Sequence, residues 1–316
     1  MSTASLHLLR SQVQHAWSRD AEPVLSIASG SLLTVETQDA SGGQLTPRSN
    51  HHSVAELDFS LVNPVTGPVY VGGAQAGDVL QVDILAVEPG TFGWTAIIPG
   101  FGLLADQFPK PWIHLWQLGR DAAEFTDDIH VPLQPFCGVL GVAPAEAGTH
   151  SVIPPRRVGG NMDTRQLGPG TTLFLPVEVD GALFGVGDTH AAQGDGEVCG
   201  TAIEASMVVS LRLSVRRDLA IDTPEFDVSR PLERATAAAA GYHATTGVGP
   251  DLMGATRQSV ERMIAYLERH HGLSPAQAYA LCSVAVDLRV SEVVDLPNWV
   301  VSAFLPGDLF RQLDTN

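Results

Sequence analysis

The run Gly187-Asp188-Thr189-His190-Ala191-Ala192-Gln193-Gly194-Asp195-Gly196-Glu197-Val198-Cys199-Gly200-Thr201-Ala202-Ile203-Glu204 sets four carboxylates, an imidazole and an amide among four glycines. Asp188 and His190 stand two residues apart, so on a strand their side chains share one face and can meet a single ion or water. A carboxylate with an imidazole suits Zn²⁺ or a similar first-row divalent ion, whereas an oxygen-only set suits Ca²⁺ or Mg²⁺. Such an ion polarises a carbonyl oxygen and brings its water to a pKa of about 7, either of which aids amide hydrolysis. Gln193, Asp195, Glu197 and Glu204 exceed what one ion needs, which leaves them to act as general base, as partner of a substrate amide, or as supports around the ligands. A solvated acidic loop has the same composition, but the adjacent glycines and apolar strands argue for a confined turn. Cys199 competes as a nucleophile with Glu197 or Glu204 in support. Its flanks, Val198 and Gly200, favour a buried, inert thiol. The sequence contains no G-x-S-x-G elbow for a serine nucleophile.

The elements around this run must deliver it. Residues 171–179 read as a strand, Asp180-Gly181 as a tight hairpin turn, and 182–186 as the strand returning into the acidic run. Gly159-Gly160-Asn161-Met162-Asp163 is a glycine turn that carries two short polar arms, a pattern also met in simple Asx-turns. His51-His52 lies in the long aperiodic stretch 38–53, where a ligand role and a plain surface role are both open. The segment 92–104, FGWTAIIPGFGLL, is too interrupted for a helix and lines a pocket, an interface or a buried core loop.

Elsewhere the period-2 signal dominates. Residues 24–37 alternate around Ser29-Gly30 as a strand pair, Gly77-Asp78 marks a hairpin ahead of the strand 79–87, and 135–144 and 208–215 form further strands. The last third changes register. Val260, Met263, Ile264 and Leu267 follow helical spacing and end on His270-His271-Gly272, and Ser274-Pro275-Ala276-Gln277 caps a second helix. Both stripes read as core packing. A final strand follows Pro297, and the Ala-rich run 235–240 is too short for a linker. The expectation is a mainly β chain, a β-sandwich or β-barrel body over 1–215 carrying the site, with an α+β portion over 216–316 that includes a helix pair.

Composition narrows the function. A formal charge of −17, from 35 acidic and 18 basic residues, is unsuited to nucleic acid or an anionic membrane surface. A small molecule or a metal ion suits it better. Three widely spaced cysteines describe no disulfide framework, and neither a signal-peptide core nor a membrane span is apparent, so a cytoplasmic protein is expected.

The runs GGNMDTRQL (159–167), VGDTHAAQGDGEVCGTAIE (186–204), NPVTGPVYVGGAQAGDVLQVDI (63–84), TTGVGPDLMGA (245–255) and LCSVAVDLRVSEVVDLPNWVVSAFLP (281–306) resemble the acetamidase/formamidase family, from about residue 20 to the end. The resemblance implies hydrolysis of short aliphatic amides to acid and ammonia, a β-sandwich and barrel body, a metal site and a homo-oligomer. It gathers Asn161 and Asp163 with Asp188, His190, Gln193, Asp195, Glu197 and Glu204 around one site. His52, Asp163 and His190, with Asp188 beside them, are then the expected ligands of a divalent ion, zinc first and calcium second. The expected catalytic and substrate-binding set is Glu204, Glu197, Asp195, Gln193 and Asn161. One departure stands out: where the family begins a strand turn with His-Pro, this chain has Asn63-Pro64.

Overall fold

A computed structural model describes residues 6–229 and 240–310; residues 235–239 of the Ala-rich run lie outside the described residues, as do the first five. Two six-stranded sheets form the body. The first runs in the order Leu6–Leu8, Ser31–Glu36, Met207–Arg216, Val79–Pro89, Thr171–Pro176, Glu225–Val228. The second runs Gly159–Asn161, Phe136–Gly141, Phe184–His190, Val65–Gly72, Val13–Gln14, with Leu25–Ala28 parallel to Val65–Gly72. Val35, Val82, Ile84 and Leu211 of the first sheet and Val71, Leu140, Phe184 and Val186 of the second share one buried cluster. Two facing sheets that interdigitate this way bury the apolar side of each alternating strand. The mainly β expectation holds, as does the C-terminal helix pair.

Strand pairing differs from the expectation at three places. Leu25–Ala28 and Ser31–Glu36 do not pair with each other but enter different sheets, as do Val65–Gly72 and Val79–Pro89, and Thr171–Pro176 and Phe184–His190. The turns between them contain left-handed residues, Gly30, Gly77, and the succession Gly181, Ala182, Leu183. That conformation carries each chain segment across the sandwich instead of folding it back on its neighbour. Alternation fixes which face of a strand is buried, but the partner is chosen by the inner face available.

The C-terminal portion follows the sequence closely. Leu252–His271 buries Ala255, Ser259, Val260, Met263, Ile264 and Leu267, is capped by Asp251, and ends on left-handed Gly272. Pro275–Ala285 begins with the reciprocal Ser274–Gln277 cap. From Ala278 to Ala285 it is buried on every side, as a uniformly apolar helix must be. A three-stranded sheet, Tyr242–Gly249, Trp299–Pro306 and Asp287–Glu292, backs the helices. The last strand therefore begins at Trp299 and runs to Pro306.

Two smaller elements border the site. Segment 92–104 starts as the strand Phe92–Ile97, paired with Trp112–Gln117, before turning at Gly100 and Gly102. The long stretch 38–53 runs into a short helix, His51–Ala55, capped by Asn50.

Candidate active site

Strand Phe184–His190 ends in the acidic run, and every residue of it is buried. Its period places Asp188 and His190 together, with Asp188 Oδ1 3.2 Å from His190 Nε2. Thr189, between them, turns to the opposite side and bonds Thr37 and the Ala205 carbonyl. The glycine turn after Gly159–Asn161 brings in Asp163, whose Oδ2 accepts from Asn161 Nδ2 at 2.7 Å. Gly138 faces it: a Cβ there would lie 2.5 Å from Asp163 Oδ1 and 2.7 Å from the Asp188 carbonyl oxygen. Only glycine leaves room for the Asp163 carboxyl to lie this close to the Asp188 main chain.

Gln193 orients the imidazole. Its Nε2 donates to the Asp163 main-chain oxygen at 2.7 Å, which turns its Oε1 to His190 Nδ1 at 2.8 Å. Nε2 of the same ring therefore points at Asp188 and at Glu204, whose Oε2 is 3.1 Å away. Glu204 is itself fixed: its main chain pairs with Trp94, and its Oε1 accepts from Ala202 N at 2.8 Å. Helix Pro275–Ala285 clamps the intervening turn, Ser283 Oγ accepting from Cys199 N and donating to the Thr201 carbonyl, and Tyr279 hydroxyl donating to the Val198 carbonyl.

Electrostatics follow from this burial. Asp163, Asp188, Glu197 and Glu204 line one pocket with His190 behind them. No lysine or arginine among the described residues lines it. Burial, reinforced by the charge of Asp188, pushes Asp163 up to about 7. Burial likewise raises Glu204 to about 7, with His190 pulling the other way. Glu197 lies well above the carboxylate range through burial and the neighbouring Asp163. Burial works against charge on His190, but Glu204 and Asp188 outweigh it and hold the imidazole well above its ordinary value. Near neutrality the cluster therefore shares protons, and its carboxyls can both give and take them.

The same residues fit a divalent cation. Ligand atoms of Asp163, Asp188 and His190 lie within 4.8 Å of one another, as do those of His190, Glu197 and Glu204. Asp163 Oδ1 is buried without a hydrogen bond, and Glu204 Oε2 has only the His190 Nε2 contact, in a space where four acids face one imidazole. A cation placed there would satisfy Asp163 Oδ1 and offset the excess negative charge.

Above this floor the pocket encloses about 100 Å³. Leu57, Phe59, Val62, Trp94, Ile98 and Phe101 form its walls, and Asn63 and Asn161 add amide groups beside the acids. Asn63 is a residue whose role the sequence hid: its Nδ2 donates to Asp188 Oδ2 at 3.1 Å and approaches Asn161 Oδ1 at 3.3 Å. The signal was the Asn63-Pro64 turn itself.

Two expected participants lie elsewhere, and Cys199 is the buried thiol that its flanks favour. His52 is not among the converging ligands; it sits exposed on helix His51–Ala55, 3.0 Å from Glu56, on the side away from Val54, the residue the helix buries. Asp195 faces away from the pocket and pairs with Arg165 at 2.9 Å. Arg165 also holds Asp287, so this acid ties the site turn to the C-terminal portion. Cys199 is fully buried with Sγ against the carbonyls of Ala96 and Thr201, and burial pushes its thiol up to about 11.

The chain is similar to known proteins along nearly its whole length. The profile of the Acetamidase/Formamidase family matches residues 3–151 and 145–312. A formamidase of Methylophilus methylotrophus is 27% identical over 95% of this chain and 90% of its own length. The chain is also similar to a solved acetamidase from Bacillus halodurans, 32% identical, with a TM-score of 0.68 and coverage of 95% and 97%. A gamma lactamase from Delftia acidovorans superposes with a TM-score of 0.87 at 26% identity, covering 95% of this chain and 90% of that one.

Proposed function

The chain belongs to the acetamidase/formamidase family, and we propose that its buried acid–histidine pocket hydrolyses the C–N bond of short aliphatic amides to carboxylate and ammonia. The carrying observation is a pocket of about 100 Å³ with apolar walls over carboxyls that titrate near neutrality. A cavity of about 150 Å³ admits benzene, with six heavy atoms, so about 100 Å³ admits about four, the size of acetamide.

Asn63 and Asn161 supply the partners that orient a carboxamide over the acids. Glu204 takes a proton from the attacking water, whose oxygen bonds to the carbonyl carbon. Protonated Glu197 gives its proton to the departing nitrogen as the C–N bond breaks, releasing acid and ammonia. The proton held by Glu204 then restores Glu197, both carboxyls lying against His190. Gln193 keeps the imidazole in place throughout. Asp163, Asp188 and His190 would hold a divalent ion, zinc suiting the mixed donor set and calcium an oxygen-richer one. When bound, such an ion supplies Lewis acidity at the carbonyl and a more acidic water.

The deep burial of Cys199 supports a water nucleophile over a thiolate. Exposed Val290, Val294 and Leu296 near the edge of the C-terminal sheet support a homo-oligomer. The free, buried cysteines suit a cytoplasmic protein. Among the described residues no helix is long and apolar enough to cross a membrane. The division into a 1–215 body and a 216–316 portion belongs to the same reading, since every pocket-lining residue precedes 216.

Ammonia release from formamide and acetamide, followed against pH and after metal exchange, tests the proposal. Turnover unchanged by complete chelation removes the metal role, and no ammonia from any amide of a broad panel removes the hydrolase.

A further inference from the structure

Two phenylalanines on separate loops meet at the mouth of the pocket. Phe59 and Phe101 stack with ring centroids 5.3 Å apart and planes inclined by 16°. Both line the cavity, yet they are 47% and 40% exposed, so one side of the pair faces solvent and the other faces the site. At that separation nothing planar fits between the rings, because two faces with a guest between them stand about 7 Å apart or more.

The two loops are held differently. Phe101 lies between Gly100 and Gly102, and a Cβ on Gly102 would meet the Cys199 carbonyl at 2.7 Å and the Tyr279 hydroxyl at 2.8 Å. Leu103 N donates to the Val198 carbonyl at 2.8 Å. The Phe101 turn is therefore pinned to the segment that carries Glu197 and Glu204. Phe59 lies in a run, Phe59-Ser60-Leu61, that is exposed throughout. Its neighbours are tied locally: Ser60 bonds Asp58 Oδ1, and Asp58 exchanges hydrogen bonds with Gln44. The Leu61 carbonyl, two residues on, packs against Gly42, but Phe59 itself stands in an exposed run held by exposed hydrogen bonds, nearer the low-stability end of a fold than the Phe101 turn.

We propose that Phe59 and Phe101 form an aromatic gate that sets the acyl length of the substrate, with Phe101 as the fixed post and Phe59 as the leaf that moves. This deepens the amide-hydrolase reading above and rests on it. With the stack closed, the pocket ends at the rings, and an acyl chain of three or four carbons must displace Phe59. Formamide and acetamide fit beneath it. Truncating either ring opens the same exit, so the two substitutions remove one shared barrier and their effects do not add.

The test compares wild type, Phe59→Ala, Phe101→Ala, the double variant and Phe59→Leu on formamide, acetamide, propionamide and butyramide. The ratio of kcat/KM for butyramide to that for formamide rises about tenfold or more in each alanine variant, and the double variant gains no more than about twofold over the better single one. Phe59→Leu, which keeps apolar bulk, falls between. An unchanged ratio in Phe59→Ala overturns the gate.

A second measurement stands apart from turnover. Trp94 is 2% exposed and lines the same pocket. Its emission, isolated by difference against Trp94→Phe in each background, reports entry of acrylamide, a small neutral amide quencher. The Stern–Volmer slope rises about threefold in Phe59→Ala if the rings close the mouth, and an equal slope overturns the gate. If wild type hydrolyses none of the four amides, the hydrolase reading fails while quenching still decides the gate.

Discussion

Removing any divalent ion and raising the pH should destabilise this fold, and the sign follows from the buried acids. For a carboxyl whose folded pKa is raised, the folded chain keeps a proton that the unfolded chain has already released. Stability is then fully present below the unfolded value and is lost as pH climbs to the folded one. Asp163 moves from 3.8 to about 7, which corresponds to about 4 kcal/mol, and Glu204 from 4.5 to about 7, about 3 kcal/mol. The two face one imidazole, so these figures do not sum. His190, raised as well, contributes in the same sense: its share is present below the ordinary imidazole value and disappears at higher pH.

The chelated protein should therefore lose about 3 kcal/mol between pH 4.5 and 7.5, a fall of about 6 °C in melting temperature at about 2 °C per kcal/mol. A divalent ion competes with protons for the same oxygens, so in its presence the slope flattens or reverses. At a hundredfold excess over its Kd the ion adds about 3 kcal/mol. Thermal melting by circular dichroism across this range, with chelator and with excess Zn²⁺ or Ca²⁺, supplies the measurement. Glu204→Gln serves as the internal control, because it deletes one of the titrating groups and should flatten the chelated profile. A chelated wild type as stable at pH 7.5 as at 4.5, or a Glu204→Gln profile of the same slope, would refute the reasoning.

Three further outcomes follow from single contacts. Cys199→Ser should keep kcat within about threefold, since the thiol faces carbonyls away from the pocket; a loss of a hundredfold in a folded variant would restore the thiolate mechanism. Gly138→Ala should cut amide turnover at least tenfold and cost about 1 to 3 kcal/mol by forcing Asp163 and the Asp188 main chain apart, read by kinetics and denaturant melts. Arg165→Leu takes the buried cation from Asp195 and Asp287 and should cost about 3 to 5 kcal/mol in urea unfolding.

What the sequence revealed about the site depended on how locally each feature is encoded. Asp188 and His190 were legible because a strand period of two settles which side chains meet. The helix pair was legible because Asp251, Ser274, Gln277 and Gly272 cap it with local hydrogen bonds and a local left-handed turn. Partner choice among the strands is a property of the whole sandwich, so three turns that read as hairpins became crossings. His52 and Asp195 have ligand chemistry, but direction decided against them: one lies on the exposed side of a short helix that buries Val54, the other is held by an arginine 30 residues away in sequence. Gly138 lies in the run 135–144, which reads only as a strand, and its function as empty space beside Asp163 Oδ1 exists only once two strands and a turn have come together.

The backbone adds an argument that neither composition nor motif contained. Six non-glycine residues among those described have positive φ. Two of them, Ala182 and Leu183, belong to a crossing between sheets. The other four, Asn63, Asp163, Asp188 and Glu197, with φ of 44° to 47°, all line the same pocket. Left-handed geometry costs an L-residue about 1 to 2 kcal/mol, less for Asn and Asp and most for a residue such as Glu. Glycine would relieve that cost at each position and remove the amide or carboxyl from the cavity. The conformations are thus explained by what the side chains must reach, not by what the turns prefer. Strain of this kind persists only where surrounding structure over-determines it, and here the surroundings are identifiable: Gly138 opposite Asp163, Asn161 beside it, Gln193 across the imidazole, and the buried helix that grips the turn through Ser283 and Tyr279. The sandwich, the glycine spaces and the C-terminal helix therefore act as one device for holding four polar side chains against their backbone preference around a space the size of a small amide.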